Sequence, residues 1–107
     1  MLDPETTLFK SLADPTRRGL FERLARDGEL TVVALTRQAG VSQPAISQHL
    51  AVLSDAGLVH ARRDGRTTHY SAALEGLGPL TGWLAAYTDF WKARMDGLET
   101  LLNEMDQ

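Results

Sequence analysis

The stretch that decides the fold is residues 31–53, TVVALTRQAGVSQPAISQHLAVL. Its apolar residues recur at intervals of three and four, which predicts two short helices. Gly40 between them can take the left-handed backbone conformation that other side chains resist. Ser42 can cap the second helix, and Pro44 is tolerated in its first turn. Two short helices joined by a tight glycine turn predict a helix-turn-helix at about residues 31–57.

The second of these helices carries polar residues on the face that does not pack. The outward set is Gln43, Pro44, Ser47 and Gln48, with His49 at the margin. Glutamine can donate to and accept from adenine, serine can do either, and proline offers apolar surface to a thymine methyl group. On an isolated helix such a face is usually only solvated. Followed by a basic hairpin, it predicts contact with DNA bases.

The periodicity changes after residue 57. Residues 58–63 and 66–72 alternate apolar and polar, and Asp64-Gly65 stands between them. An Asp-Gly pair between alternating runs predicts a hairpin with a two-residue turn, here at about residues 58–72. The predicted cross-strand pairs are Arg63 with Arg66, Ala61 with Thr68, His60 with His69, and Val59 with Tyr70.

Positive charge is concentrated in short segments although the chain is acidic overall. The formal net charge is −3, but residues 60–71 contain three arginines and a single acidic residue. Guanidinium groups bind phosphate through a fork of donors, which favours contact with a DNA backbone. The predicted phosphate contacts are Arg17, Ser42, Arg62, Arg63, Arg66 and Thr67.

A long helix is predicted at the C-terminus, at about residues 77–105. Its apolar stripe is too long to be covered by a domain of about 75 residues, because such a helix measures roughly 39 Å. A second copy of the chain would cover the excess. The predicted dimer contacts, from this helix and the N-terminal helix at about residues 6–13, are Leu8, Leu12, Leu84, Tyr87, Trp91 and Leu98.

Length and composition limit the remaining possibilities. The chain has 107 residues, which fits a single domain over residues 1–107. It has no cysteine, which excludes disulfides and thiolate metal sites. No apolar run is long enough to cross a bilayer, and the acidic N-terminus lacks the layout of a signal peptide. We therefore expect a cytoplasmic protein without membrane contact.

Several segments together resemble the arsenical-resistance repressor (ArsR) family of regulators. The matching stretches are FKSLADPTR (9–17), VSQPAISQHL (41–50), AGLV (56–59) and RRDGR (62–66), with Leu53 and Tyr70. The resemblance implies a mainly α fold with a small β-hairpin, a winged helix-turn-helix with dimerisation helices at both ends. It also implies a homodimeric repressor that binds double-stranded palindromic operator DNA and releases it when an effector binds.

The metal-sensing branch of that family is a poorer match. Its members carry a Cys-x-Cys pair where this chain has ELTVV (29–33), or metal-binding histidines on the last helix, where this chain has none. The likeness is closer to metal-independent members with aromatic residues in that helix, such as those in YTDFWKARMD (87–96). We expect no metal and no cofactor, and the effector is not identified.

Three alternatives remain to be weighed. An enzyme is disfavoured because the sequence has no glycine-rich phosphate loop, no metal-ligand motif and no evident nucleophile partner for His49, His60 or His69. A metal-responsive repressor could use His60 and His69, which the predicted register places opposite each other, although two imidazoles form an incomplete site. An interaction module that no longer binds DNA is disfavoured by the intact outward glutamines, serine and arginines.

Overall fold

The computed structural model describes residues 3–106; the remainder of the predicted domain, Met1, Leu2 and Gln107, lies outside the described residues. It is mainly helical with one small antiparallel sheet, as predicted. The elements in chain order are α1 (Pro4–Ala13), α2 (Pro15–Asp27), β1 (Leu30–Thr31), α3 (Val32–Ala39), α4 (Gln43–Asp55), β2 (Val59–Asp64), β3 (Thr67–Ala72), a 3-10 turn (Leu74–Leu77) and α5 (Gly78–Met105).

Short polar side chains set the starts of the first four helices. Each accepts a hydrogen bond from a backbone N–H in the first turn, which satisfies a donor that the helix leaves free. The capping residues are Asp3, Asp14, Thr31 and Ser42. Helix α3 ends at Gly40, whose φ of 70° is left-handed. The predicted turn and cap of the helix-turn-helix are therefore confirmed.

The sheet has three strands in the order β1-β3-β2. Strand β1 is a two-residue segment that the sequence did not predict, and it pairs Leu30 with Tyr70 and Thr31 with His69. The two-residue turn of the hairpin consists of Gly65 and Arg66, because Asp64 already pairs with Thr67. Of these two turn residues, Gly65 has the positive φ, 63°, which fits a turn with glycine at its first central position.

The predicted register was therefore wrong by two residues. Arg63 lies opposite Thr68 instead of Arg66, and His60 lies opposite Ser71 instead of His69. A shift of two preserves the faces of the strands, since side chains alternate with a period of two. The face with Val59 still packs on the helices, and the face with Arg62 still points away from them.

The core lies where α1–α4 meet the hairpin. Six side chains are less than 2% exposed, namely Leu24, Leu35, Ile46, Leu50, Leu53 and Leu58. Leu8 also belongs to this core at 2% exposure, and Leu12 packs against it. The prediction that Leu8 lies in a dimer interface is therefore wrong. Its neighbour Phe9 is the large α1 side chain that remains exposed.

Helix α5 extends away from the domain. It is 28 residues long, about 42 Å, and every residue after Leu80 is exposed. Near the start of α5, the Trp83 ring packs edge-on against Phe9, with the ring centroids 5.3 Å apart. The centroid of the Tyr87 ring lies 4.9 Å from that of Trp83.

Within residues 3–106, no helix combines the length and the apolar character needed to cross a membrane.

Candidate DNA interface

Helix α4 presents its polar face because its other face is fixed in the core. Ile46, Leu50 and Leu53 recur at steps of four and three, and all three are fully buried. The positions between them must therefore point outward. The structure accordingly leaves Gln43, Pro44, Ser47 and Gln48 exposed, with His49 half-buried. All five lie in the first two turns of the helix, the part that a helix-turn-helix places against base edges.

A cleft runs beside this face and joins it to the hairpin. The residues that line it are Thr31, Val32, Val33, Gln43, Ser47, Arg66, Thr67, Thr68 and Tyr70. The cleft thus brings two predicted base contacts on α4 beside two predicted phosphate contacts on the hairpin. The sequence did not predict that Thr68 and Val33 line the cleft. Their role depends on β3 and the start of α3 lying beside α4, which no local pattern in the sequence indicates.

Two arginines of the hairpin, Arg63 and Arg66, differ from Arg62 in their surroundings. Among residues 3–106, neither Arg63 nor Arg66 forms an ion pair with an acidic side chain. The Arg63 Nε donates to the carbonyl oxygen of Gly65 at 3.3 Å, which holds this guanidinium at the hairpin tip. Both side chains are exposed, and so is that of Thr67. This tip is a local positive patch on an acidic protein.

Arg62 has a different environment. Its Nη2 and Nε donate to the two carboxylate oxygens of Glu29 at 2.6 and 3.2 Å. This fork lowers the pKa of Glu29 and raises that of Arg62, in both cases chiefly through the side-chain hydrogen bond between them. Arg62 also lies 4.0 Å from Asp64. The predicted phosphate ligand is thus already engaged by a carboxylate within the chain.

The other two predicted phosphate contacts, Arg17 and Ser42, already form hydrogen bonds with backbone groups of the chain. Arg17 donates from Nε to the carbonyl oxygen of Ser11 at 2.8 Å and from Nη2 to that of Lys10 at 3.2 Å. It therefore caps the C-terminal end of α1. The Ser42 hydroxyl accepts from the backbone N–H of Ala45 at 3.3 Å, yet the residue remains exposed at the α4 N-terminus.

The two hairpin histidines each contact a separate carboxylate. His60 Nε2 lies 2.5 Å from a Glu75 oxygen, and His69 Nδ1 lies 3.7 Å from a Glu29 oxygen. The observed register removes the direct opposition on which a shared metal site depended. Over residues 3–106, no three His, Cys, Asp or Glu side chains cluster as metal ligands would.

Known proteins resemble the chain over most of its length. Residues 12–62 match a helix-turn-helix domain family. The arsenical resistance operon repressor of Escherichia coli K12 is 36% identical over 100 residues, 92% of this chain and 81% of that protein. The regulator Rv2034 of Mycobacterium tuberculosis is 43% identical over 98 residues, 89% of this chain and 85% of that protein.

One further relative matches over a shorter span. A probable mercury resistance operon repressor of Streptomyces lividans is 49% identical over 70 residues. That match covers 64% of this chain and 55% of the relative, so the chain spans only about half of it.

Two solved structures share the fold. A possible transcriptional regulator for arsenical resistance superimposes with a TM-score of 0.66 at 42% identity, over 85% of this chain and 86% of that one. A homodimeric winged helix-turn-helix DNA-binding domain from Mycobacterium bovis gives a TM-score of 0.65 at 31% identity, over 81% and 80%. The chain therefore belongs to the ArsR family of winged helix-turn-helix regulators, which are DNA-binding transcriptional regulators and not enzymes.

Proposed function

We propose that the protein is a dimeric repressor that binds a palindromic operator in double-stranded DNA and releases it when an effector binds. The observation that carries this proposal is the cleft between α4 and the hairpin, where Gln43 and Ser47 lie beside Arg66 and Thr67. One cleft therefore holds groups suited to base edges and groups suited to phosphates.

Dimerisation is supported by the unburied face of α5. Leu84, Tyr87, Trp91 and Leu98 are each between 48% and 63% exposed, a large apolar surface for a chain of this size. Surfaces of this kind usually mark an interface with another protein. The similar Mycobacterium bovis domain is homodimeric. We propose that the interface is formed by α5 and by the side of α1 that carries the exposed Phe9 and the half-buried Leu12.

The symmetry of a dimer supports the palindrome. Two α4 helices related by a two-fold axis would enter successive major grooves roughly 34–36 Å apart. Gln43, Ser47 and Gln48 would contact bases, with Pro44 against a thymine methyl and His49 at the edge. Arg63, Arg66 and Thr67 would hold phosphates on either side, joined by Ser42 at the α4 N-terminus, where a helix dipole favours an anion.

Arg62 and Arg17 are weaker candidates for phosphates. Each guanidinium already donates to oxygen atoms of the chain itself, Arg62 to Glu29 and Arg17 to two carbonyls. Either would have to exchange those bonds for a phosphate. We therefore assign the backbone contacts mainly to the hairpin tip.

The direction of control is proposed from the relatives, two of which are named as operon repressors. A repressor has to reach DNA, which supports the cytoplasmic location that the sequence predicts. The relatives named for arsenic and mercury resistance do not supply an effector for this chain, because it has no cysteine with which to bind those metals. We leave the effector as an unidentified ligand.

Selection of bound duplexes from a random pool tests the proposal, followed by footprinting on the best sequence. We expect a palindrome whose half-sites are centred about one helical turn apart, and protection of both half-sites. The matched control is the double variant Ser47→Ala/Gln48→Ala. It should keep the fold because both side chains are exposed. Enrichment of no sequence, or of one without two-fold symmetry, would contradict the proposal.

A further inference from the structure

Three charged or titratable side chains meet on the face of the sheet that points away from α4. They are Glu29, just before β1, Arg62 on β2 and His69 on β3. Arg62 lies directly opposite His69, and His69 lies opposite Thr31 of β1. The three therefore form a row across the sheet, and Glu29 reaches over β3 to the outer strand.

The contact between Glu29 and Arg62 has the geometry of a fixed link. Two nitrogens of one guanidinium donate to the two oxygens of one carboxylate, at 2.6 and 3.2 Å. A bidentate pair of this kind fixes orientation as well as distance. His69 Nδ1 lies 3.7 Å from an oxygen of the same carboxylate.

The position of the link matters because, among the described residues, no third strand pairs with the outer half of the hairpin. Strand β1 pairs only with His69 and Tyr70, so Thr67 and Thr68 are bonded to β2 alone. Arg62 pairs with His69, which is the residue nearest the hairpin tip that also pairs with β1. Beyond it the hairpin is a two-stranded ribbon, which is marginally stable by itself in water.

The segment at the other end of the link begins the helix-turn-helix. Thr31 ends β1 and also caps α3, accepting from the backbone N–H of Ala34 at 3.2 Å. Glu29 is two residues before it. The hydrogen bonds between Glu29 and Arg62 therefore connect β2 to the segment that begins α3. Because α3 packs on α4, they also relate the orientation of the hairpin to the position of α4.

We propose that Glu29 and Arg62 form a strut that positions the hairpin tip against α4, and that Arg62 is not itself a phosphate ligand. Glu29 and Arg62 are then positioning residues for DNA binding, and Arg63 and Arg66 are the groups they position. This inference rests on the proposed function, because it assigns the strut a role in holding operator DNA.

Exchanging the charges of Glu29 and Arg62 tests whether Arg62 positions the hairpin or binds phosphate itself. The variants are Arg62→Glu and the double variant Glu29→Arg/Arg62→Glu, each measured on operator and scrambled duplexes at several salt concentrations. Arg62→Glu places a new carboxylate beside those of Glu29 and Asp64, and we expect operator binding to weaken about fivefold or more. The double variant rebuilds the pair in reverse, and we expect affinity within about twofold of the wild type, with an unchanged salt dependence.

Arg66→Glu is the matched control, because its arginine has no carboxylate partner among the described residues. Adding Glu29→Arg to Arg66→Glu should not restore its affinity. Amide hydrogen exchange across residues 62–69 gives a readout without DNA: it should be faster in Arg62→Glu and return to the wild-type rate in the double variant.

The possible failures are distinguishable. A double variant that binds operator as weakly as Arg62→Glu, beside an intact wild type, would overturn the strut and identify Arg62 as a phosphate ligand. An unrestored exchange rate would overturn it as well. A wild type that does not distinguish operator from scrambled DNA would contradict the proposed function, and the positioning role would be lost with it.

Discussion

Gly76 lies directly against Gly57, so that a Cβ at position 76 would be 1.9 Å from the Gly57 carbonyl oxygen. This contact is where the 3-10 turn before α5 meets the turn between α4 and β2. The backbone N–H of Ala73 donates to the Leu58 carbonyl at 2.8 Å in the same region. The connection between α5 and the DNA-binding elements therefore passes through a close approach of two backbones.

Replacing Gly76 with alanine should destabilise the fold. The new methyl group would overlap backbone atoms, which cannot rotate away, and such overpacking costs about 1–3 kcal/mol or more. Urea unfolding monitored by circular dichroism measures the change. Gly82→Ala is the control, because that position in α5 has open space and alanine favours a helix by roughly 1 kcal/mol. Equal stabilities for Gly76→Ala and the wild type would contradict the close approach.

A charge on the apolar face of α5 should separate the proposed dimer. Trp91 is 63% exposed in the single chain, and Trp91→Glu would bury an unpaired carboxylate between two copies. We expect the mass of a dimer for the wild type and of a monomer for the variant, by light scattering at micromolar concentration. Ala93→Glu adds the same charge on the polar side of the helix and should remain dimeric. A wild-type monomer would contradict the interface.

Acid should destabilise the protein partly through the cap of α2. The backbone N–H of Arg17 donates to the Asp14 carboxylate at 2.9 Å and lowers the pKa of that group, chiefly through this bond. Because the folded pKa lies below the unfolded value of about 4, the carboxylate stabilises the fold above that pH. The stabilisation is lost as the pH falls through the folded pKa.

Asp14→Asn keeps the hydrogen-bond acceptor but does not titrate. Its urea midpoint should therefore depend less on pH between about 5 and 2 than that of the wild type. The remaining dependence should come from other carboxylates whose pKa values are lowered by hydrogen bonds, such as that of Glu29. Parallel curves for the two proteins would show that Asp14 makes no contribution.

Local signals in the sequence predicted the elements but not their long-range pairing. The α4 start was predictable because Ser42 and Pro44 act within one helical turn. Strand β1 was missed because two residues, Leu30 and Thr31, are too short to show a period. The hairpin register was wrong because Asp64-Gly65 suggested the turn, whereas the glycine occupies its first central position and Asp64 is paired.

Partners far apart in sequence left no signal. Glu29 and Arg62 are separated by 33 residues, and nothing in either local stretch indicates that they meet. Leu8 was assigned to the wrong surface for a related reason. Helical periodicity shows that Leu8, Phe9 and Leu12 lie near one face, but which of them enters the core depends on how α1 crosses α2 and α5.

Thiophilic and transition metals should not release the operator. The chain has no cysteine, and the observed register places His60 opposite Ser71 and His69 opposite Arg62. Zinc, copper, nickel and arsenite can each be titrated against the protein–operator complex and followed by fluorescence anisotropy. We expect no stoichiometric release at low micromolar concentrations. Release that is abolished by His60→Ala or His69→Ala would restore the metal-responsive alternative.

The central claim is that α4 contacts bases while the hairpin tip holds phosphates, and the affinity of Gln48→Ala for operator and scrambled DNA tests it most directly. We expect a loss of about 1–3 kcal/mol on the operator and little change on scrambled DNA. Arg66→Ala, measured beside it, should weaken both duplexes alike and reduce the salt dependence by about one counterion. A Gln48→Ala variant that keeps full discrimination between the two duplexes would contradict the account.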